Sequence, residues 1–84
     1  MLKVERKTDI DWKEVSLEDI LELAVADEEE ARDYYAHAAQ LAGNPHTREM
    51  LMKLSVMEQG HADTLRAELE ELRIERDEEA GMAD

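Results

Sequence analysis

The sequence predicts an all-α fold, an antiparallel two-helix hairpin that pairs with a second copy into a four-helix bundle. Three observations carry this reading. Two long stretches place apolar residues at alternating spacings of three and four, the rhythm of an amphipathic helix. One short break, Gly43-Asn44-Pro45, separates them. The 84 residues hold one Trp, two Tyr and no Phe, so a chain this short has little bulk for a private core and is expected to bury surface by oligomerising.

Composition narrows the functions. A net charge of -13 repels phosphates, which argues against nucleic acid and anionic membrane surfaces as partners and suits cations. The absence of cysteine excludes disulfides, thiolate zinc sites and iron–sulfur ligation by this chain. No apolar run reaches the length of a signal peptide or a membrane span, so a cytoplasmic or otherwise intracellular location is the expectation.

Residues 1–15 mix charge with Leu2, Val4, Ile10, Trp12 and Val15 without a sustained period, and are expected to form an arm in which Trp12 packs on a neighbouring helix or subunit. Ser16 then offers an N-cap, with Asp19 three residues on in a capping-box position and Val15 with Ile20 as a staple. The first helix follows Leu17, Leu21, Ala24, Glu28, Ala31, Tyr35, Ala38 and Ala42. Gly43 reads as its stop, Asn44 as the next N-cap and Pro45 as the first residue of helix two. A turn this short forces an antiparallel pair. The second helix is expected from Pro45 to about Asp77, with Glu68 to Glu79 projecting into solvent or another subunit. The hairpin thus occupies 16–79, and 80–84 read as a frayed tail.

Two residues break the apolar row of helix two. Leu51 and Leu54 lead to Glu58 and His61, and Leu65 and Leu72 follow, so a carboxylate and an imidazole occupy positions expected to be buried. Three residues apart on a helix, they share a face and reach one metal ion together. Glu28 is the matching anomaly of helix one. Glu28 and Glu58 each lie 15 residues from Gly43, so a hairpin brings them to one depth. Burying an uncompensated carboxylate costs several kcal/mol or forces it to take a proton, and a cation would compensate both. Gly60, between Glu58 and His61, costs about 1 kcal/mol relative to alanine within a helix and suggests a close backbone approach or an unusual packing need beside the site.

One chain offers two carboxylates and one imidazole, and two chains offer the di-metal carboxylate set of four-helix bundles, a Glu from each of two helices and a Glu-x-x-His from each of the others. Oxygen and nitrogen donors without sulfur favour iron or manganese over soft metals, with zinc competing for the same atoms. Tyr35, two turns beyond Glu28, is placed to hydrogen-bond a ligand carboxylate. Plainer readings stand beside these. Tyr34 and Tyr35 also read as packing, Asp27, Glu29 and Glu30 as a solvated face, His37 and His46 as surface histidines, and Met50, Met52 and Met57 as adaptable interface packing.

The run Glu28-Glu29-Glu30-Ala31-Arg32-Asp33-Tyr34-Tyr35 resembles the ligand helix of rubrerythrins, which carry E-x-x-A-R-x-x-Y, and Glu58 to His61 resembles their E-x-x-H. The encapsulated ferritins, two-helix half ferritins, are closer still. They share the spacing of seven from Glu to Tyr, the thirty residues between ligand glutamates and the Pro thirteen residues before the second. The resemblance spans about residues 20–72. It implies a ferritin-like four-helix bundle with Glu28, Glu58 and His61 as iron ligands at a subunit interface, and Tyr35 beside them. It also implies that Asp27 and Glu30 guide entering metal, that the activity is ferroxidase, and that dimers assemble into a decameric ring within an encapsulin nanocompartment.

The expected function is therefore oxidation of Fe(II) to Fe(III) at a di-iron site shared by two subunits, in iron storage or detoxification. One alternative is a peroxide-reducing di-iron protein on the same site. The other is a non-enzymatic acidic oligomerisation module whose buried Glu and His set helix register.

Overall fold

A computed structural model describes residues 10–82, with side chains described as far as Glu79. Among the described residues there are two helices, α1 over Leu17–Leu41 and α2 over Pro45–Met82, packed against each other as an antiparallel hairpin.

The start of α1 is fixed as its sequence predicts. Ser16 is extended, its hydroxyl accepts the Asp19 amide at 3.0 Å, and the Asp19 carboxylate returns to the Ser16 amide. Two of the amides that a helix start leaves unpaired are thereby satisfied. Asn44 caps α2, its side chain accepting the Thr47 amide at 3.1 Å ahead of Pro45, whose fixed φ suits the first helical position.

The stop of α1 differs from expectation. Ala42, not Gly43, ends the helix, turning extended with its amide on Ala38 and Ala39, and no described glycine takes a positive φ. The turn is closed by a side chain, with Arg48 Nη2 donating to the Ala42 carbonyl at 2.8 Å. Helix α2 also outruns its expected end at Asp77, reaching Met82, because Glu68 to Ala80 holds good helix formers with no glycine before Gly81. Nor does this part project freely. Leu69 is buried, Arg73 Nη2 donates to Glu22 at 2.6 Å, and Arg76 Nη1 donates to both oxygens of Glu18 at 2.9 and 3.0 Å.

The first nine residues of the arm and the last two of the tail lie outside the described residues. Trp12, in a turn over Asp11–Glu14, is 70% exposed in the single chain.

The molecule is one helix thick. Its extents are 61 × 27 × 11 Å, the last matching the diameter of one helix with its side chains, roughly 10–12 Å. The radius of gyration is 17.0 Å against roughly 12 Å for a compact chain of this length. The core is correspondingly thin, made of Val25, Ala31, Ala39, Ala62 and Leu69 with Ser55, and no large side chain is fully enclosed. Much of the hold between helices is polar instead. Arg32 Nη1 donates to Gln59 at 2.6 Å, the Ser55 hydroxyl donates to the Arg32 carbonyl at 2.9 Å, and Arg66 pairs with Glu29.

Gly60 meets no close approach. A Cβ built there lies more than 4 Å from any neighbour, so the glycine only loosens the helix. Gly60→Ala is expected to stabilise the metal-free hairpin by about 1 kcal/mol, read as a higher midpoint in thermal or denaturant melts. A lower midpoint would mean that a second copy approaches the backbone at this point.

Candidate metal centre

Glu28, on the middle of α1, meets Glu58 and His61 of α2 at matched depth in the hairpin. One donor atom from each, a carboxylate oxygen of either Glu and a ring nitrogen of His61, lies within 4.8 Å of the others. His61 Nδ1 stands 3.2 Å from Glu58 Oε1 and 3.7 Å from Glu28 Oε1. The three residues singled out from the sequence are thus brought together.

Their burial is not as expected. The side chains of Glu58, Glu28 and His61 are 18%, 30% and 56% exposed, so the donors lie at the edge of the contact between the two helices and not at its centre. One residue round a helix is a rotation of about 100°, and the next residue after each ligand glutamate, Glu29 and Gln59, belongs to the polar contacts with Arg66 and Arg32. The interhelical contact runs between these two rows. Ion pairs line one flank of the hairpin, and the donor triad lies on the other.

That second flank is otherwise apolar and half-covered. Leu21, Ala24, Tyr35 and Ala38 of α1 and Leu54, Leu65 and Leu72 of α2 are all intermediate in exposure, while Leu17, Met50 and Met57 are exposed. Ala31 alone of the expected α1 row is buried. Tyr35 keeps to the donor row; Tyr34 is half exposed beside it, and their rings meet edge to face with centroids 5.7 Å apart. Asp27 is half-buried, whereas Glu30, His37 and His46 are exposed. Neither Asp27 nor Glu30 joins the triad.

Electrostatics bear on what the triad holds. The Glu28 carboxyl is pushed above its ordinary pKa of 4.5, first by its hydrogen bond with Glu58, then by burial and by the charge of Glu58; His61 opposes the shift. Two carboxylates in contact favour a shared proton unless a cation replaces it. The donor set fits such a cation, because two carboxylates and an imidazole are the hard and borderline donors of iron, manganese or zinc sites.

A stability consequence follows from the direction of this shift. A raised carboxyl pKa stabilises the fold below the ordinary value, and that stabilisation is lost as pH rises through the raised one. From about pH 4.5 upward the metal-free hairpin is therefore weakened at this point. Glu28→Gln is expected to raise the metal-free melting temperature at pH 7 and to leave it near that of the parent at pH 4, while weakening metal binding. Melts at the two pH values, each with chelator, check this.

The distinction between flanks was not legible from residue spacing, because a period of three and four marks an apolar stripe without telling which stripe meets the sister helix. The arginines carry the missing signal. Arg66, Arg73 and Arg76 recur at seven and three along α2, opposite Glu29, Glu22 and Glu18, and an ion-paired row of this kind marks the flank open to water.

Among the described residues no helix is long and apolar enough to cross a membrane. A family model described as Rubrerythrin matches residues 2–80, a wider span than the motif-bearing 20–72 and one that takes in the amino-terminal arm. No significant match is found to a curated protein or to a solved structure.

Proposed function

The chain belongs to the rubrerythrin family, and on that premise we propose that it is a ferroxidase whose di-iron site is completed by two copies of the hairpin. The family typically binds iron in ferritin-like di-iron centres, which supports an oxidoreductase built on iron. The observation that carries the finer reading is the position of the donor triad. Glu28, Glu58 and His61 converge on the uncovered flank of a hairpin one helix thick, where a second layer would close over them.

Two hairpins laid flank to flank would supply four carboxylates and two imidazoles inside a four-helix bundle. Iron held there supplies one electron from each of two Fe(II) ions to dioxygen. The protein residues prepare that exchange. Glu58, the least exposed of the three, contacts both other donors and is placed to be shared. Glu28 adds a second carboxylate, and a bound cation would relieve its unfavourable contact with Glu58. His61 keeps Nδ1 towards the carboxylates, so its ring is already oriented before metal arrives. Tyr35, on the same row, is assigned to orient a ligand carboxylate from the side, and the leucines of the flank exclude water once covered.

A hairpin encloses no cavity, so oxidised iron leaves for storage elsewhere, within an encapsulin shell where the chain is its cargo. Asp27 and Glu30, outside the triad, are assigned to the path by which Fe(II) approaches. Family membership also supports a second reading, peroxide reduction at the same site.

The test is anaerobic loading with Fe(II) followed by rapid mixing with dioxygen or hydrogen peroxide, monitored by ferric absorbance. Ferroxidase activity predicts oxygen-driven oxidation much faster than in buffer. Faster oxidation with peroxide than with oxygen would favour the second reading, and rates equal to those in buffer with both oxidants would overturn the two together.

A further inference from the structure

The row of α2 that holds His61 continues through Met57, Leu54 and Met50, at spacings of four, three and four. Met57 and His61 are therefore neighbours one turn apart, about 5–6 Å between Cβ atoms. Met57 is 55% exposed and Met50 48%, on the same flank as the donors. A third methionine supplies an internal comparison. Met52, 45% exposed, stands on the row of Val56 and Gln59, and Gln59 binds Arg32 on the opposite, ion-paired flank. Three thioethers of similar exposure are thus sorted by the fold, two beside the donor triad and one across the hairpin from it.

We propose that Met57, with Met50 behind it, is an oxidation site that takes up peroxide released from the metal centre. The inference rests on the oxygen-dependent reading above. Two Fe(II) ions give one electron each to dioxygen, which takes two protons and leaves as hydrogen peroxide. The Met57 sulfur then forms a bond to one peroxide oxygen as the O–O bond breaks, losing two electrons to become the sulfoxide, and the other oxygen departs as water. Peroxide formed one helical turn away meets Met57 at a far higher local concentration than it reaches in bulk. The product is reversible, since methionine sulfoxide is restored by dedicated reductases, so the row can intercept oxidant repeatedly and spare the His61 ring.

The experiment follows iron and sulfur in the same tube. The whole chain is loaded anaerobically with Fe(II), exposed to oxygen in the presence of catalase, and digested. Sulfoxide is then quantified at Met50, Met52 and Met57 by mass spectrometry while ferric absorbance is recorded. Catalase removes bulk peroxide, and a parallel sample treated with peroxide alone, without iron, gives the intrinsic reactivity of each site. The expected result is rapid iron oxidation with Met57 oxidised at least threefold more than Met52 after correction for that reactivity, and no such preference in Glu58→Ala. Rapid iron oxidation with a smaller preference, or a preference that survives in Glu58→Ala, overturns the proposal while leaving the ferroxidase reading intact. Iron oxidation no faster than in buffer removes the ferroxidase reading itself.

Discussion

Glu58→Ala is expected to slow oxygen-dependent iron oxidation by about 100-fold or more and to abolish tight iron binding, with the hairpin still helical. Removing even a partner that merely orients a ligand costs roughly 10–100-fold in metal affinity, and Glu58 stands one step closer, in contact with His61 and Glu28. Its loss leaves one carboxylate and one imidazole per chain, too few to hold a cation against water. The fold is expected to survive because, among the described residues, the arginine ion pairs that join the helices run through Glu18, Glu22 and Glu29 on the other flank, and Glu58 is in none of them. Stopped-flow absorbance and circular dichroism separate the two effects. A variant that oxidises iron at the parental rate would remove Glu58 from the site.

Leu65→Glu is expected to separate the paired chains. Leu65 lies one turn beyond His61 on the donor flank and is half-buried in the single hairpin, so the substitution is tolerable there. In a symmetric pair it removes two leucines and inserts two charges. Leu65 is already partly covered, so pairing gains only part of the roughly 1.5–3 kcal/mol of a full leucine burial; the two charges placed in the contact, each costing several kcal/mol to desolvate, supply the rest of an expected rise of at least about 100-fold in the dissociation constant. Light scattering should then report the 9.7 kDa single chain at concentrations where the parent is larger. The same change at an exposed position of the ion-paired flank, Val56→Glu, is expected to leave the mass of the parent unchanged. Equal dissociation by both variants would place the contact between copies elsewhere.

Much of the fold was legible in the sequence because it depends on local chemistry. Ser16 with Asp19 and Asn44 with Pro45 state where each helix begins, and the short turn leaves only the antiparallel arrangement. The donor triad was legible for a related reason. Glu28 and Glu58 lie equally far from the turn, so chain connectivity brings them level whatever the details of packing. What spacing could not supply was rotation about the helix axes. A stripe that includes Leu21, Ala24, Tyr35, Leu54 and Leu65 looks like the face of a hairpin core, yet the residues most buried between the helices are mostly small ones, Val25, Ala31, Ala39, Ser55 and Ala62, with Leu69 the one large exception. Small side chains let two backbones approach closely, and an apolar stripe with larger residues is left for another layer. Glu58 and His61 are therefore half-open in one chain, and the expectation that they are buried applies to a pair.

Helix ends were the other place where sequence and structure parted. Gly43 carries the stop signal by residue type, but Arg48 reaches back to the Ala42 carbonyl, and a contact of that kind depends on the turn having already formed. The expected projection of the charge-rich end of α2 is a similar case. Arg73 and Arg76 find Glu22 and Glu18 across the hairpin, so the charge-rich end of α2 is held by long-range pairs that a local reading treats as solvated.

The central claim, a di-iron site made by two copies, is tested most directly by native mass spectrometry during anaerobic titration with Fe(II). The account predicts that iron appears on particles of even chain number, saturating at two ions for every two chains, with single chains remaining iron-free. Tight iron binding by single chains, or pairs that never take up iron, would contradict it.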